Sequence, residues 1–248
     1  MTTTGAYFLG IWLLYSASMN GMAWYFAHQI CLENENLSAL PQPLPDAAIA
    51  ELAGPRIEKF GFSFQTPWKD NAKTRDTKNL AMVNFASGTG IIVFDPAAQI
   101  DKIKIYRQAA TANGTDLITL IDAQSLNSNY DFMRSYLYAS PSQVKWWASR
   151  RLNAQSLILL TNKSMDLGKH TKIYDLICGS IRGFQFGDPR SDKNVQLELF
   201  DPSDHHYEII ISRGDANSSA LSQPEINAIV VSIHPISPPS SAAKFNGE

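Results

Sequence analysis

Charge is missing from the start of this chain: no Asp, Glu, Lys or Arg occurs before Glu33. Cysteine is scarce, with only Cys31 and Cys178. That count excludes a cysteine-based zinc site and argues against a disulfide framework. Neither sign of charge is in excess, since 21 Lys+Arg face 23 Asp+Glu for a formal net charge of −2. So even a balance leaves no electrostatic footprint for nucleic acid or anionic lipid, and any such binding needs a local patch. No internal repeat is present. What remains is an ordinary globular composition, 44% hydrophobic and 18% charged over 248 residues, enough for one or two domains with a real core.

The uncharged leader includes AYFLGIWLLYSASMNGMAWYFA (6 to 27), in which Ser16, Ser18 and Asn20 are the plainly polar residues. An apolar helix of this length matches the hydrocarbon core of a bilayer. Its aromatic residues cluster at the two ends, Tyr7, Phe8 and Trp12 first, then Trp24, Tyr25 and Phe26, as in interfacial anchoring. Two other readings stay open. A signal peptide would use Tyr7 to Tyr15 with cleavage at Ser16-Ala17-Ser18, although basic residues are missing before it and hydrophobicity resumes after it. A buried core helix is the third. The expectation is a retained anchor over 1–32, giving a single-pass membrane protein. Glu33, Glu35 and Asp46 favour translocation of the downstream side, so the folded part is expected to be extracytoplasmic.

Residues 33–59 read as a linker, with NENLSALPQPLPD supplying Pro, Asn and Ser, and with a short helix over AAIAELA capped by Asp46. The tail 234–248, HPISPPSSAAKFNGE, is expected to be disordered. Between them, 60–233 reads as a soluble α+β domain, an antiparallel sheet with helices packed on its faces. GFSFQTPW (61 to 68) is strand-like, with Phe62 and Phe64 sharing parity, and a polar stretch follows it. NLAMVNFA and GIIVFDP flank a Ser87-Gly88-Thr89-Gly90 hairpin turn, which lacks the third glycine of a phosphate loop. Residues 97–165 look mostly helical, with starts at Asn129-Tyr130-Asp131 and at Ser140-Pro141-Ser142-Gln143. The run NAQSLILLTNKSM is compatible with helix or buried strand.

IYDLICGSIRGFQF supplies an earlier strand, and Gly187-Asp188-Pro189 turns the chain. NVQLELF then puts Val195, Leu197 and Leu199 on one face, and HYEIIIS does the same with Tyr207, Ile209 and Ile211. Pairing them across Asp201-Pro202-Ser203-Asp204 leaves His206 and Glu208 on the wet face with Gln196 and Glu198. Leu221-Ser222-Gln223-Pro224-Glu225-Ile226 carries a capping box and a hydrophobic staple. It opens a helix striped by Ile226, Ile229, Val230 and Ile233 and stopped by Pro235.

No stretch builds a convincing catalytic or metal site. His205 and His206 read as solvated turn residues, and the remaining histidines are scattered. Ser142-Gln-Val-Lys145 fits Ser-x-x-Lys, but the Lys-Thr-Gly and Ser-Asp-Asn partners are missing. QVKWWASRR (143 to 151) is similar to a homeodomain recognition helix, yet Arg150 stands where that family needs an adenine-reading Asn. Nucleic-acid binding, cofactor and metal are therefore not expected. The one candidate contact surface is Trp146 and Trp147 with Lys145, Arg150 and Arg151. On a helix these adjacent indoles would diverge by about 100°, one packing inward and one outward. The reading is a non-catalytic, membrane-tethered binding or assembly module of the bacterial envelope with membrane and protein partners. A small hydrolase assembled from distant residues is the alternative.

GFSFQTPW, the hairpin VQLELFDPSDHHYEIII and the closing SQPEINAIVVSI together resemble the PsbP-like αβα-sandwich superfamily. The resemblance covers about half of 60–233, and the long helical 97–165 departs from it. It implies a binding or assembly module, often exported or membrane-linked, and carries over no functional residue.

Overall fold

The computed structural model describes residues 21–25, 27–29, 35–46, 48–98, 103, 127–167, 172–214 and 221–236. Most of the apolar stretch 6–27 lies outside these residues. Among the described residues, no helix is long and apolar enough to cross a membrane. The chain forms two compact units, one from residues 1–42 and 100–173, the other from 43–99 and 174–248.

The described part of the first unit is largely helical. α1 (Asn129–Leu137) starts where Ser128 accepts a hydrogen bond from the Asp131 backbone N–H, and it buries Phe132, Met133, Tyr136 and Leu137. α2 (Arg150–Leu167) resolves NAQSLILLTNKSM as helix. Lys163 of α2 is fully buried, and its Nζ donates to the carbonyls of Ala39 (2.6 Å) and Ala139 (2.8 Å). A buried ammonium is tolerated only when its donors are satisfied in this way.

The second unit carries the sheets. β1 (Gln42–Pro43) leads into it, followed by β2 (Arg56–Lys59), β3 (Phe62–Gln65), β4 (Ala72–Asp76), β5 (Leu80–Phe85) and β6 (Gly90–Phe94). Next come β7 (Ile173–Cys178), β8 (Ile181–Phe186), β9 (Asn194–Phe200), β10 (His206–Ser212), α3 (Gln223–Val231) and β11 (His234–Pro235). The large sheet runs β1-β7-β8-β9-β10-β6-β5-β4 and the small one β11-β3-β2. The neighbours from β8 through β9, β10, β6 and β5 to β4 pair antiparallel. The fold class is thus α+β with a large sheet, as the sequence indicates. The core gathers Val195, Leu197, Leu199, Tyr207, Ile209 and Ile211 with Phe62, Phe64 and the Ile226–Ile229–Val230–Ile233 stripe of α3.

Three corners of this unit use one device. Asp95, Asp188 and Asp201 each precede a proline, and each Oδ1 accepts the backbone N–H two residues on, from Ala97, Arg190 and Ser203 at 2.8–2.9 Å. Proline presets φ at the corner while the aspartate side chain satisfies the amide that the turn would otherwise orphan.

Several expectations are corrected. Residues 48–53 form no helix. Asp46 instead bonds the Ala48 N–H, and the strap is held to α3 through Asn227 Nδ2, which donates to the carbonyls of Asp46 and Ala48. Asn227 in turn accepts from Gln223, which exchanges two hydrogen bonds with Gln185 in a buried amide chain. β2 falls inside the segment read as linker, and β11 pairs with β3 at the start of the segment read as tail. The polar stretch after Trp68 contains β4, fully exposed at the sheet edge, where no apolar alternation is needed. IYDLICGSIRGFQF is two strands, because Gly179 turns the chain with φ +59°.

Candidate functional site

Two places deserve weighing as sites: the histidine hairpin and the tryptophan turn. The hairpin forms with the expected faces together, His206 opposite Phe200, Glu208 opposite Glu198 and Ile210 opposite Gln196, so its turn includes His205 as well as Asp201 to Asp204. Its organiser is Asp201, which is buried. Oδ1 accepts the backbone N–H groups of Ser203 (2.8 Å) and His205 (3.0 Å). Oδ2 lies 2.8 Å from His205 Nδ1 and accepts the Tyr207 hydroxyl at 3.1 Å. Burial pushes the Asp201 carboxyl up, but the hydrogen bonds from the His205 side chain, the His205 N–H and Tyr207 outweigh it and hold it below the ordinary range. The ionised carboxylate only accepts, so Nδ1 of His205 carries the proton. Burial, with the Asp201 charge added to it, pushes the Tyr207 hydroxyl up, keeping it a donor.

The opposite face of the hairpin is less wet than its alternation suggests. Glu198 is only 7% exposed. Its Oε2 bonds His206 Nε2, and its Oε1 accepts from Gln196 Nε2 at 2.6 Å. Gln196 also donates to Glu208 (3.1 Å), so one amide and one imidazole offset the repulsion of two carboxylates placed directly across the strands. The His206 ring stacks on Phe200 with centroids 4.6 Å apart. Both histidines are thus bonded to carboxylates rather than simply solvated, which corrects the expectation for them. Among the described residues, no Ser, Thr or Cys side chain hydrogen-bonds to His205 or His206. Among the described residues, no group of three or more His, Cys, Asp or Glu is placed to hold a metal ion.

A pH dependence follows from Asp201. A carboxyl whose folded pKa is depressed adds stability that is complete above its unfolded value and lost as pH falls through the folded one. Taking about 3.9 for the unfolded chain, the loss begins near that pH and continues below it. Thermal unfolding between about pH 6 and pH 2 should show a shallower acid decline for Asp201→Asn than for the native chain. Parallel declines would assign acid sensitivity to other groups.

The tryptophan turn differs from its expectation more sharply. The capping box at Ser140 forms, but it opens only a 3-10 turn, Pro141–Gln143, and Val144 is extended (φ −80°, ψ 113°). Residues 144–149 are therefore not helical, and α2 starts afresh at Arg150, with Ser149 Oγ accepting the Leu152 N–H at 3.3 Å. Three residues of low helix propensity, Val144, Trp146 and Trp147, let the second cap win. The turn is pinned from below by buried Asn153. Its Oδ1 accepts the Lys145 N–H (3.1 Å) and its Nδ2 donates to the Lys145 carbonyl (2.8 Å).

With the helix gone, the two indoles no longer divide between inside and outside. Trp146 is 59% exposed and Trp147 66% exposed, packed edge to face with centroids 5.5 Å apart. Val144 alone points into the core. Lys145 Nζ lies 5.5 Å from the centre of the Trp147 ring, within cation–π range, while Ser142 Oγ pairs with Ser140 Oγ. The Ser-x-x-Lys spacing therefore assembles no nucleophile–base pair. Arg151 is exposed, and Arg150 is the first residue of α2. The sequence does not single out Asn153, because α2 carries many other polar residues, among them Gln155, Thr161, Asn162 and Ser164. Asn153→Ala should cost about 1–2 kcal/mol, two hydrogen bonds' worth. It should also speed amide exchange at Lys145 and Ala148, measurable by thermal unfolding and hydrogen exchange; unchanged exchange would mean the clamp does not hold the turn.

No family model, no curated protein and no solved structure matches this chain.

Proposed function

We propose that this chain is a non-catalytic binding or assembly module of the bacterial envelope, tethered to the membrane by its N-terminal segment, with its folded part extracytoplasmic. Its α+β unit is read as a PsbP-like αβα sandwich, with helices on the faces of the sheet. The observation that carries the reading is the Trp146–Trp147 pair, two exposed indoles on a turn clamped by Asn153. Exposed tryptophan lowers solubility unless a partner or an interface covers it, and a pre-ordered turn loses little entropy on binding. The hydrolase alternative is supported by one feature, the exposed His205 ring oriented by buried Asp201, which is half of a base–orienter pair.

Two measurements test the proposal. Alkaline carbonate extraction of the membrane fraction should leave the full chain in the pellet; release into the supernatant removes the tether. On native gels of gently solubilised membranes, the chain should migrate in an assembly larger than its own 27.5 kDa. Trp146→Ala with Trp147→Ala should shift it to the mass of the free chain. Identical migration of both forms would argue against the tryptophan turn as the contact.

A further inference from the structure

From the same turn, and resting on the binding-module reading, we infer the partner: Trp146, Trp147, Lys145 and Arg151 form a docking patch for an anionic lipid surface. Charge is the first argument. The chain as a whole is slightly acidic, yet residues 132–165 contain no Asp or Glu and carry Arg134, Lys145, Arg150, Arg151 and Lys163. Lys163 is buried and occupied with backbone carbonyls, whereas Arg134, Lys145 and Arg151 are exposed. Exposed Arg134, Lys145 and Arg151, with no acidic residue among them, thus flank the two indoles along the sequence, and Lys145 touches one of them.

The indoles are the second argument. A Trp ring is an apolar body with one N–H donor, which suits the headgroup level of a bilayer better than either bulk water or a dry core. Edge-to-face packing and the cation–π contact of Lys145 hold the two rings and a charge together as one wedge. Exposed Leu152 follows one turn into α2, extending the apolar surface beside Arg151. A protein-binding hot spot would favour the same aromatics, but it does not require flanking sequence free of Asp and Glu. The third argument is the company this turn keeps. The same compact unit includes residues 21–29, where Met22, Trp24 and Tyr25 are also exposed. One unit thus presents two aromatic clusters of the kind found at membrane interfaces.

The experiment uses the full chain with large vesicles of neutral phosphatidylcholine and of phosphatidylcholine with one quarter phosphatidylserine, in low and high salt. The N-terminal segment supplies the same background to both vesicle types, so the ratio between them reports the patch. The native chain should favour the anionic vesicles by roughly 30-fold at low salt, the effect of two cations at the surface. Salt should erase that preference. Lys145→Gln with Arg151→Gln should abolish the preference, while Trp146→Ala with Trp147→Ala should lower binding to both vesicle types by roughly tenfold. Brominated lipid should quench a fluorescence component that disappears in Trp146→Phe with Trp147→Phe. All these side chains are exposed, so circular dichroism should be unchanged. Equal binding to both vesicle types with no bromine quenching overturns the inference. If, in that case, the double tryptophan variant still dissolves the native assembly, the contact is a protein and the binding-module reading stands. If the assembly is also unaffected, both fall.

Discussion

Asp201→Ala should destabilise the second unit by about 3–5 kcal/mol, far more than the loss of one surface turn residue. The size follows from what the side chain leaves behind. Its carboxylate satisfies two backbone N–H groups, the His205 imidazole and the buried Tyr207 hydroxyl. Each hydrogen bond to a charged acceptor contributes about 1.5–3 kcal/mol, and a buried donor stripped of its partner costs about 1–3 kcal/mol. Water entering at the exposed His205 side offsets part of that sum, whereas Tyr207 is 3% exposed and gains none. Denaturant unfolding of the native chain and the variant measures the difference. Asp201→Asn, which keeps one acceptor oxygen, should lose less. A cost for Asp201→Ala below about 1 kcal/mol would mean the hairpin is held by its strands alone.

Phe62→Ala is the second large effect, expected at about 3–5 kcal/mol. Phe62 is fully buried and belongs to β3 of the three-stranded sheet. Its ring lies 4.7 Å from that of Tyr207 in β10 of the large sheet and 6.1 Å from Phe64. Truncation therefore opens a cavity where the two sheets meet, and interiors packed this tightly relax only partly around such a void. Ile177→Ala is the control. Ile177 is 75% exposed, so its truncation should stay within about 0.5 kcal/mol. Comparable losses in the two variants would contradict the packing described.

What the sequence made legible was local. Period two across Val195–Leu199 and Tyr207–Ile211 specified strands and faces, because a slip by one residue would turn Tyr207, Ile209 and Ile211 out of the core. Ser222 and Glu225 marked the start of α3, and Glu225 Oε2 accepts from both the Ser222 N–H and its hydroxyl. Gly88, at φ +89°, marked the 80–94 hairpin. What escaped was set by partners distant in sequence. β4 is a strand because Leu80–Phe85 pairs with it, and its own side chains are all exposed. The role of Asp201 depends on Tyr207, on the far side of the turn. The sequence pattern places Trp146 and Trp147 on a helix, with one ring inward and one outward. Asn153 and the Ser149 cap remove that helix, and both rings become exposed instead of one.

The central claim is that Trp146 and Trp147 form a contact surface that is covered in the cell and bare in the isolated chain. Hydroxyl-radical footprinting of the two indoles tests it most directly, comparing native membranes with the purified chain in detergent-depleted buffer. Their exposure predicts rapid oxidation of both rings in the purified chain, at a rate well above that of Trp68, which is packed against Phe85 and bonded to Glu225. In native membranes both should be protected severalfold while an exposed control, Met165, is unchanged. Equal oxidation of Trp146 and Trp147 in the two preparations would contradict the account.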